Sequence, residues 1–239
     1  MARQLGAAGA RALLVARSED ALHRTAEQVR HRGGVAVVFV ADLEPDDAPA
    51  TLVDRLGEAG ETVDILVNNA GFGVQGPLLD HGPEAAEGMV GVNVAALTSL
   101  TRRLLPGMME RGIGGVLNVA SIAAFAPSPR FAVYAATKAY VLSFTEAVHA
   151  EMRATGVHVT CLCPGPVETS FGERAGMDEA FFSGALPAEA VARAGLRGLA
   201  ANTRRVVPGW TNKVQAAATR FVPTGPTLRV TEAIMARAG

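Results

Sequence analysis

Five short apolar runs constrain this chain more than any other feature. ARALLVA (10–16), GVAVVFV (34–40), TVDILVN (62–68), GGVLNVA (114–120) and GVHVTCLC (156–163) are continuous rather than alternating. That is the pattern of strands covered on both faces. Between them lie amphipathic stretches such as SEDALHRTAEQVRHRG (18–33), with a serine N-cap candidate and a glycine stop. PDDAPATLVDRLGEAG (45–60) has the same punctuation. Strands alternating with helices predict an α/β fold, a parallel sheet wrapped by helices through right-handed crossovers. No repeat, low-complexity tract or linker interrupts the alternation, so residues 1–239 read as one domain.

Two stretches depart from this rhythm. Residues 2–8 read as the back half of a helix ended by Gly9, with nothing earlier for its apolar side to pack on. Residues 164–187, PGPVETSFGERAGMDEAFFSGALP, hold four glycines and three prolines together with Phe171, Met177, Phe181 and Phe182. A loop this long in a compact domain is usually a lid or binding segment, with a plain surface excursion as the alternative. Beyond it the chain reads as a helix, a short strand and a turn. A helix around 209–221 follows, then Pro223 and Pro226, and a short terminal helix.

Charge and cysteine usage narrow the function classes. A net charge of −1 offers no electrostatic reason to expect nucleic acid or an anionic membrane as partner. No apolar run reaches the roughly 18–20 residues of a membrane span, and no basic segment followed by an apolar core marks a signal peptide. Cys161 and Cys163 lie two apart on a strand and point to one face, a poor geometry for bridging each other. Two ligands are too few for zinc, so no metal is expected. Buried free thiols suit a reducing cytoplasm. Only Lys138 and Lys213 of the 22 basic residues are lysine, so a lysine here stands out.

Four segments carry chemistry. VNNAGFG (67–73) ends a strand in two amides and two glycines, which let a flat ligand approach the backbone and tie strand ends together. GVNVAALTSL (91–100) places Asn93 in an otherwise apolar helix, where a satisfied core amide is the alternative. LNVASIAAF (117–125) puts Ser121 just beyond the carboxyl end of a strand, where ligands of open α/β sheets bind. VYAATKAY (133–140) sets Tyr134 and Lys138 four apart, on one helix face. An ammonium near a phenol favours tyrosinate and lowers its pKa, as a general acid–base requires.

Together these residues resemble the short-chain dehydrogenase/reductase family over essentially the whole chain. Asn68-Asn69-Ala70-Gly71 matches the family's Asn-Asn-Ala-Gly strand end. Ser121, Tyr134, Lys138 and Asn93 match its catalytic set. Pro164-Gly165, followed by Val167 and Thr169, matches the segment that borders the nicotinamide, and Asp42-Leu43 sits where the family reads the adenine ring. The resemblance implies a Rossmann-type doubly wound sheet and makes 170–187 the substrate loop. It further implies hydride transfer between the nicotinamide and a carbonyl carbon. In that chemistry Tyr134 exchanges the proton, Ser121 polarises the oxygen, Lys138 binds the ribose and lowers the Tyr134 pKa, and Asn93 positions a water. Small-molecule carbonyl or alcohol substrates are implied, without integral membrane association, and a homodimer or homotetramer is the family habit.

Arg17 selects the cofactor. Strand ends of dinucleotide-binding sheets meet the adenosine ribose, where an acid favours NAD and an arginine accommodates the 2′-phosphate of NADP. Val15-Ala16-Arg17-Ser18 offers no acid there, so NADP is expected over NAD.

Measured against the resemblance, the chain begins inside the first helix. The family's first strand and its Thr-Gly-x-x-x-Gly-x-Gly turn are then expected upstream of Met1. Without that strand, a slot of roughly 9–10 Å should separate the strands at 10–16 and 62–68. Two other readings stay open. One is a non-catalytic dinucleotide-sensing or scaffold protein on the same fold. The other is a peripheral membrane reductase anchored by 209–221, which carries Trp210 and Phe221 but only Lys213 and Arg220 as bases.

Overall fold

The computed structural model describes residues 1–219 and 221–236. The chain begins with α1 (Ala2–Ala7), β1 (Arg11–Ala16), α2 (Glu19–Arg30), β2 (Val35–Val40), α3 (Ala48–Glu58) and β3 (Ile65–Asn68). Next come α4 (Pro83–Val90), a π-helical segment at Gly91–Ala96, and α5 (Leu97–Arg111). β4 (Gly114–Val119), α6 (Ala132–Glu151) and β5 (Val157–Leu162) follow. The region 167–187 holds β6 (Val167–Glu168), α7 (Phe171–Arg174) and β7 (Leu186–Pro187), and the chain continues through α8 (Ala188–Ala200), β8 (Arg205–Val206), α9 (Trp210–Ala218) and α10 (Thr224–Met235). The strands fall where the apolar runs placed them, except that residues 62–64 lie outside β3.

All pairings are parallel. β1 pairs with β2, Arg11 opposite Val35, and a second sheet runs in the order β3-β4-β5-β8. β1 and β3 share no ladder among the described residues. Common helical layers join the two sheets. On one face Leu13, Val15, Val37 and Phe39 pack with Leu52 and Leu56 of α3, Leu100 of α5 and Leu66 of β3. The same layer continues where α5 and α6 cover β4 and β5 through Met108, Val116, Val148 and Val159. On the other face Ala12 and Leu14 meet Leu22, Ala26 and Val29 of α2, while Leu117 and Leu162 meet Val191 and Leu199 of α8.

α1 is held tightly. A Cβ on Gly34 would lie 2.7 Å from the Gly6 Cα, so the backbones touch where only glycine fits. β6 and β7 pair across the loop between them, closing its base. The terminal helix is longer than its sequence suggested, twelve residues. Arg220, one of the bases read in 209–221, lies outside the described residues.

Candidate active site

The site sits at the carboxyl ends of β3, β4 and β5. A buried polar ladder fixes those ends. The Asn68 amide donates to Thr101 Oγ1 (3.0 Å) and to Asn118 Oδ1 (2.8 Å), and Asn118 donates to Thr145 Oγ1 (3.0 Å). Asn118 and Asn93 are fully buried. Every link therefore replaces a hydrogen bond to water that folding removed. The sequence reading assigned strand tying to the asparagines at 68–69, but gave Asn118 and the two threonines no role. Each looks like an ordinary polar residue in an apolar run.

Ser121 follows β4 in extended backbone, and its Oγ accepts from the Ala123 N–H (3.1 Å), opening a short 3₁₀ turn. Tyr134 and Lys138 project from one face of α6 toward it, and both are buried. Phe131 stacks on the Tyr134 ring, centroids 4.4 Å apart, and Phe171 tilts against it at 5.4 Å. The Lys138 ammonium donates to the Val119 carbonyl (2.9 Å) and lies 5.6 Å from the Tyr134 ring centroid.

Burial dominates both groups. It pushes the Tyr134 phenol up to about 12, with the Ser121 hydroxyl pulling the other way. It pushes Lys138 down to about 8, opposed by the neighbouring Cys161 and Cys163 sulfurs. The net direction for the phenol is therefore upward, because desolvation dominates, and the Lys138 ammonium is directed at a carbonyl rather than at the hydroxyl.

The Asn93 Oδ1 accepts from the Phe72 N–H (3.1 Å), and its Nδ2 donates to the Phe72 carbonyl (2.9 Å) and to Thr137 Oγ1 (3.0 Å). Both amide hydrogens are used, so the side chain braces the 69–73 segment against α6. The π-helical turn around it is a geometry frequent at functional sites. Gly71 packs into this brace, since a Cβ there would lie 2.7 Å from Asn93 Oδ1 and 3.4 Å from Lys138 Nζ.

Asn69, Gly71, Ser121, Tyr134, Lys138, Pro164, Gly165, Val167 and Thr169 line one cavity of about 590 Å³. The four apolar loop residues named from sequence, Phe171, Met177, Phe181 and Phe182, line it too. Ala70 and Asn93 are not among its lining residues: Ala70 is exposed and Asn93 is buried. Phe125, four residues beyond Ser121, lies under the Arg205 guanidinium, 5.3 Å away, and packs toward β5. The far wall escaped the sequence reading. It is formed by α9 and α10, through residues such as Gln215, Thr227 and Met235. Gln75 donates to the Met235 carbonyl (2.9 Å) and Thr231 to the Pro127 carbonyl (3.0 Å), tethering α10 over the cavity.

Arg17 and Asp42 lie apart from this cavity, exposed at the ends of β1 and β2, with guanidinium and carboxylate 4.0 Å apart. Leu43 is beside them in sequence and packs into the core between β2 and α3. Cys161 and Cys163 are free and buried, their sulfurs 3.7 Å apart on one face.

A family model described as short chain dehydrogenase matches residues 1–180. A ketoacyl reductase of Nostoc sp. is 34% identical over 167 residues, covering 70% of this chain and 58% of that one. The chain therefore spans little more than half the length of that curated relative. A short-chain dehydrogenase from Sphingobium yanoikuyae, solved with NADPH, shares 27% identity at a TM-score of 0.83, covering 95% of this chain and 88% of its own. One from Burkholderia phymatum, solved with NAD, shares 25% at 0.81, covering 92% and 86%.

Proposed function

Since this chain belongs to the short-chain dehydrogenase family, we propose that it is an NADP(H)-dependent oxidoreductase interconverting a carbonyl and an alcohol on an apolar or amphipathic small molecule. The observation that carries this reading is the convergence of Ser121, Tyr134 and Lys138 on one apolar-walled cavity. A nicotinamide dinucleotide, when bound, supplies the hydride.

The residues present fit such a group. Gly71, beside Asn69, leaves the backbone open where a side chain would strike Asn93 and Lys138. Lys138 spends one of its three N–H donors on Val119, and the other two remain for the ribose hydroxyls. Pro164, Gly165, Val167 and Thr169 line the cavity and would hold the nicotinamide, with Ala70 next to Asn69 at the strand end. Asp42 and Leu43 would hold the adenine.

Tyr134 is protonated across the physiological range, so in the reducing direction it donates its phenolic proton to the substrate oxygen. Ser121 hydrogen-bonds the same oxygen and polarises the carbonyl. Lys138, charged below about pH 8, stabilises the tyrosinate left behind. Asn93 keeps the 69–73 segment and α6 in register. Phe171, Met177, Phe181 and Phe182 hold the substrate by apolar burial and exclude water.

Arg17 supports NADP over NAD. A charge-assisted hydrogen bond to the 2′-phosphate is worth roughly 1.5–3 kcal/mol, about 10- to 100-fold in preference. The exposed Asp42 partner is weak competition, because surface ion pairs contribute little. The test is a panel of ketones assayed with NADPH and with NADH, for the parent and Arg17→Ala. Turnover of apolar ketones, faster with NADPH, and a selective loss of that preference in the variant are expected. Turnover confined to phosphorylated or polycarboxylate compounds, or a parent that prefers NADH, contradicts the reading.

A further inference from the structure

The helices that wall the cavity also carry an exposed apolar surface. Trp210 and Val214, one turn apart on α9, are 76% and 59% exposed, while Asn212 and Ala216 on the opposite face are buried. Phe221, in the turn after α9, is 86% exposed. Val222, Val230 and Ile234 border the cavity yet remain 44%, 58% and 44% exposed, so the apolar rim runs from the outer surface into the cavity.

Charge follows the same segment. Residues 209–239 hold Lys213, Arg220, Arg229 and Arg237 against Glu232 alone, a net +3 in a chain whose total is −1, which leaves −4 for residues 1–208. Lys213 and Arg229 are exposed beside the rim. The nearly neutral total hides this asymmetry. A two-fold contact between copies through this face would set the exposed Lys213 and Arg229 against their own copies. An anionic bilayer neutralises the charge and receives the apolar side chains, with tryptophan at its preferred depth.

We propose that α9, α10 and the turn between them form a docking face for an anionic lipid surface, with the cavity mouth turned to the lipid. Docking stands independently of the redox reading; only the further step, entry of an apolar substrate from the lipid, rests on it.

Trp210 is the chain's sole tryptophan, so its fluorescence reports on this face alone. The experiment mixes the purified chain with vesicles of phosphatidylcholine alone and of phosphatidylcholine with phosphatidylglycerol. With the anionic vesicles, Trp210 emission should shift to the blue, be quenched by brominated acyl chains and revert at high salt. Phe221→Glu, outside the cavity, should weaken partitioning about tenfold or more while turnover of a water-soluble ketone stays unchanged. Three results overturn the proposal: emission unmoved by anionic vesicles, equal binding to neutral ones, or a lipid-free blue shift that grows with protein concentration and is abolished by Phe221→Glu, which marks a second copy as the occupant. Vesicle binding without any turnover would sink the reductase reading and leave docking intact.

Discussion

Lys138 shows how burial tunes chemistry at a single residue. Packed under β4 with its ammonium on the Val119 carbonyl, it is pushed down to about 8. A base with a lowered pKa is charged below that value and loses its proton as pH rises through it. For carbonyl reduction the charge is needed to hold the tyrosinate, while Tyr134, at about 12, stays protonated throughout. The kcat/KM for reduction is therefore expected to be flat near neutrality and to fall above about pH 8. In Lys138→Arg the residual rate should be much lower, because a planar guanidinium does not reproduce a compact ammonium, and the fall should vanish with a group that stays charged. A descent unchanged in the variant would assign it to another group. The i, i+4 pair was legible in sequence because helix geometry alone brings the side chains to one face. The direction of the Tyr134 shift was not, since it depends on how much solvent Phe131 and Phe171 exclude, and no local pattern records that.

At the scale of elements, the π-helical turn at Gly91–Ala96 and the brace it presents tie three segments together. Asn93→Ala would leave the Phe72 N–H and carbonyl without their partners in a part-buried setting. Roughly 1–3 kcal/mol of stability should be lost, read as a lower urea midpoint. Turnover should suffer through misplacement, less than when the proton donor is removed. Unchanged stability would show that Asn93 is no brace. Sequence singled out Asn93 correctly as a polar residue in an apolar helix, yet its partners Phe72 and Thr137 lie 21 and 44 residues away. The cavity wall from α10 was hidden for the same reason. Its tethers join residues 160 and 104 positions apart, and a helix read alone does not say what its apolar face will cover. The substrate loop was easier, because four large apolar residues among glycines and prolines must bury themselves somewhere.

Among the described residues the strands form a β1-β2 pair, a four-stranded β3-β4-β5-β8 sheet and a β6-β7 pair, the first two held by shared helical layers rather than by one continuous ladder. The parallel strands and their helical layers were legible because continuous apolar runs alternate with amphipathic ones throughout. The amides on the facing edges of β1 and β3 have no ladder partner among the described residues. They should exchange with solvent well before those of β4 and β5, which are paired on both sides. Hydrogen exchange resolved to these strands checks this, and equal protection of all four would mean the edges are covered.

The central claim is that Tyr134 is the proton donor of a carbonyl reductase, and Tyr134→Phe tests it most directly, because it deletes one oxygen and leaves the stacked ring in place. Turnover of an apolar ketone and NADPH affinity are measured side by side in parent and variant. A loss of turnover of roughly 10²–10⁴-fold or more, with NADPH affinity nearly unchanged, is the expected result. Near-native turnover in the phenylalanine variant would contradict the account.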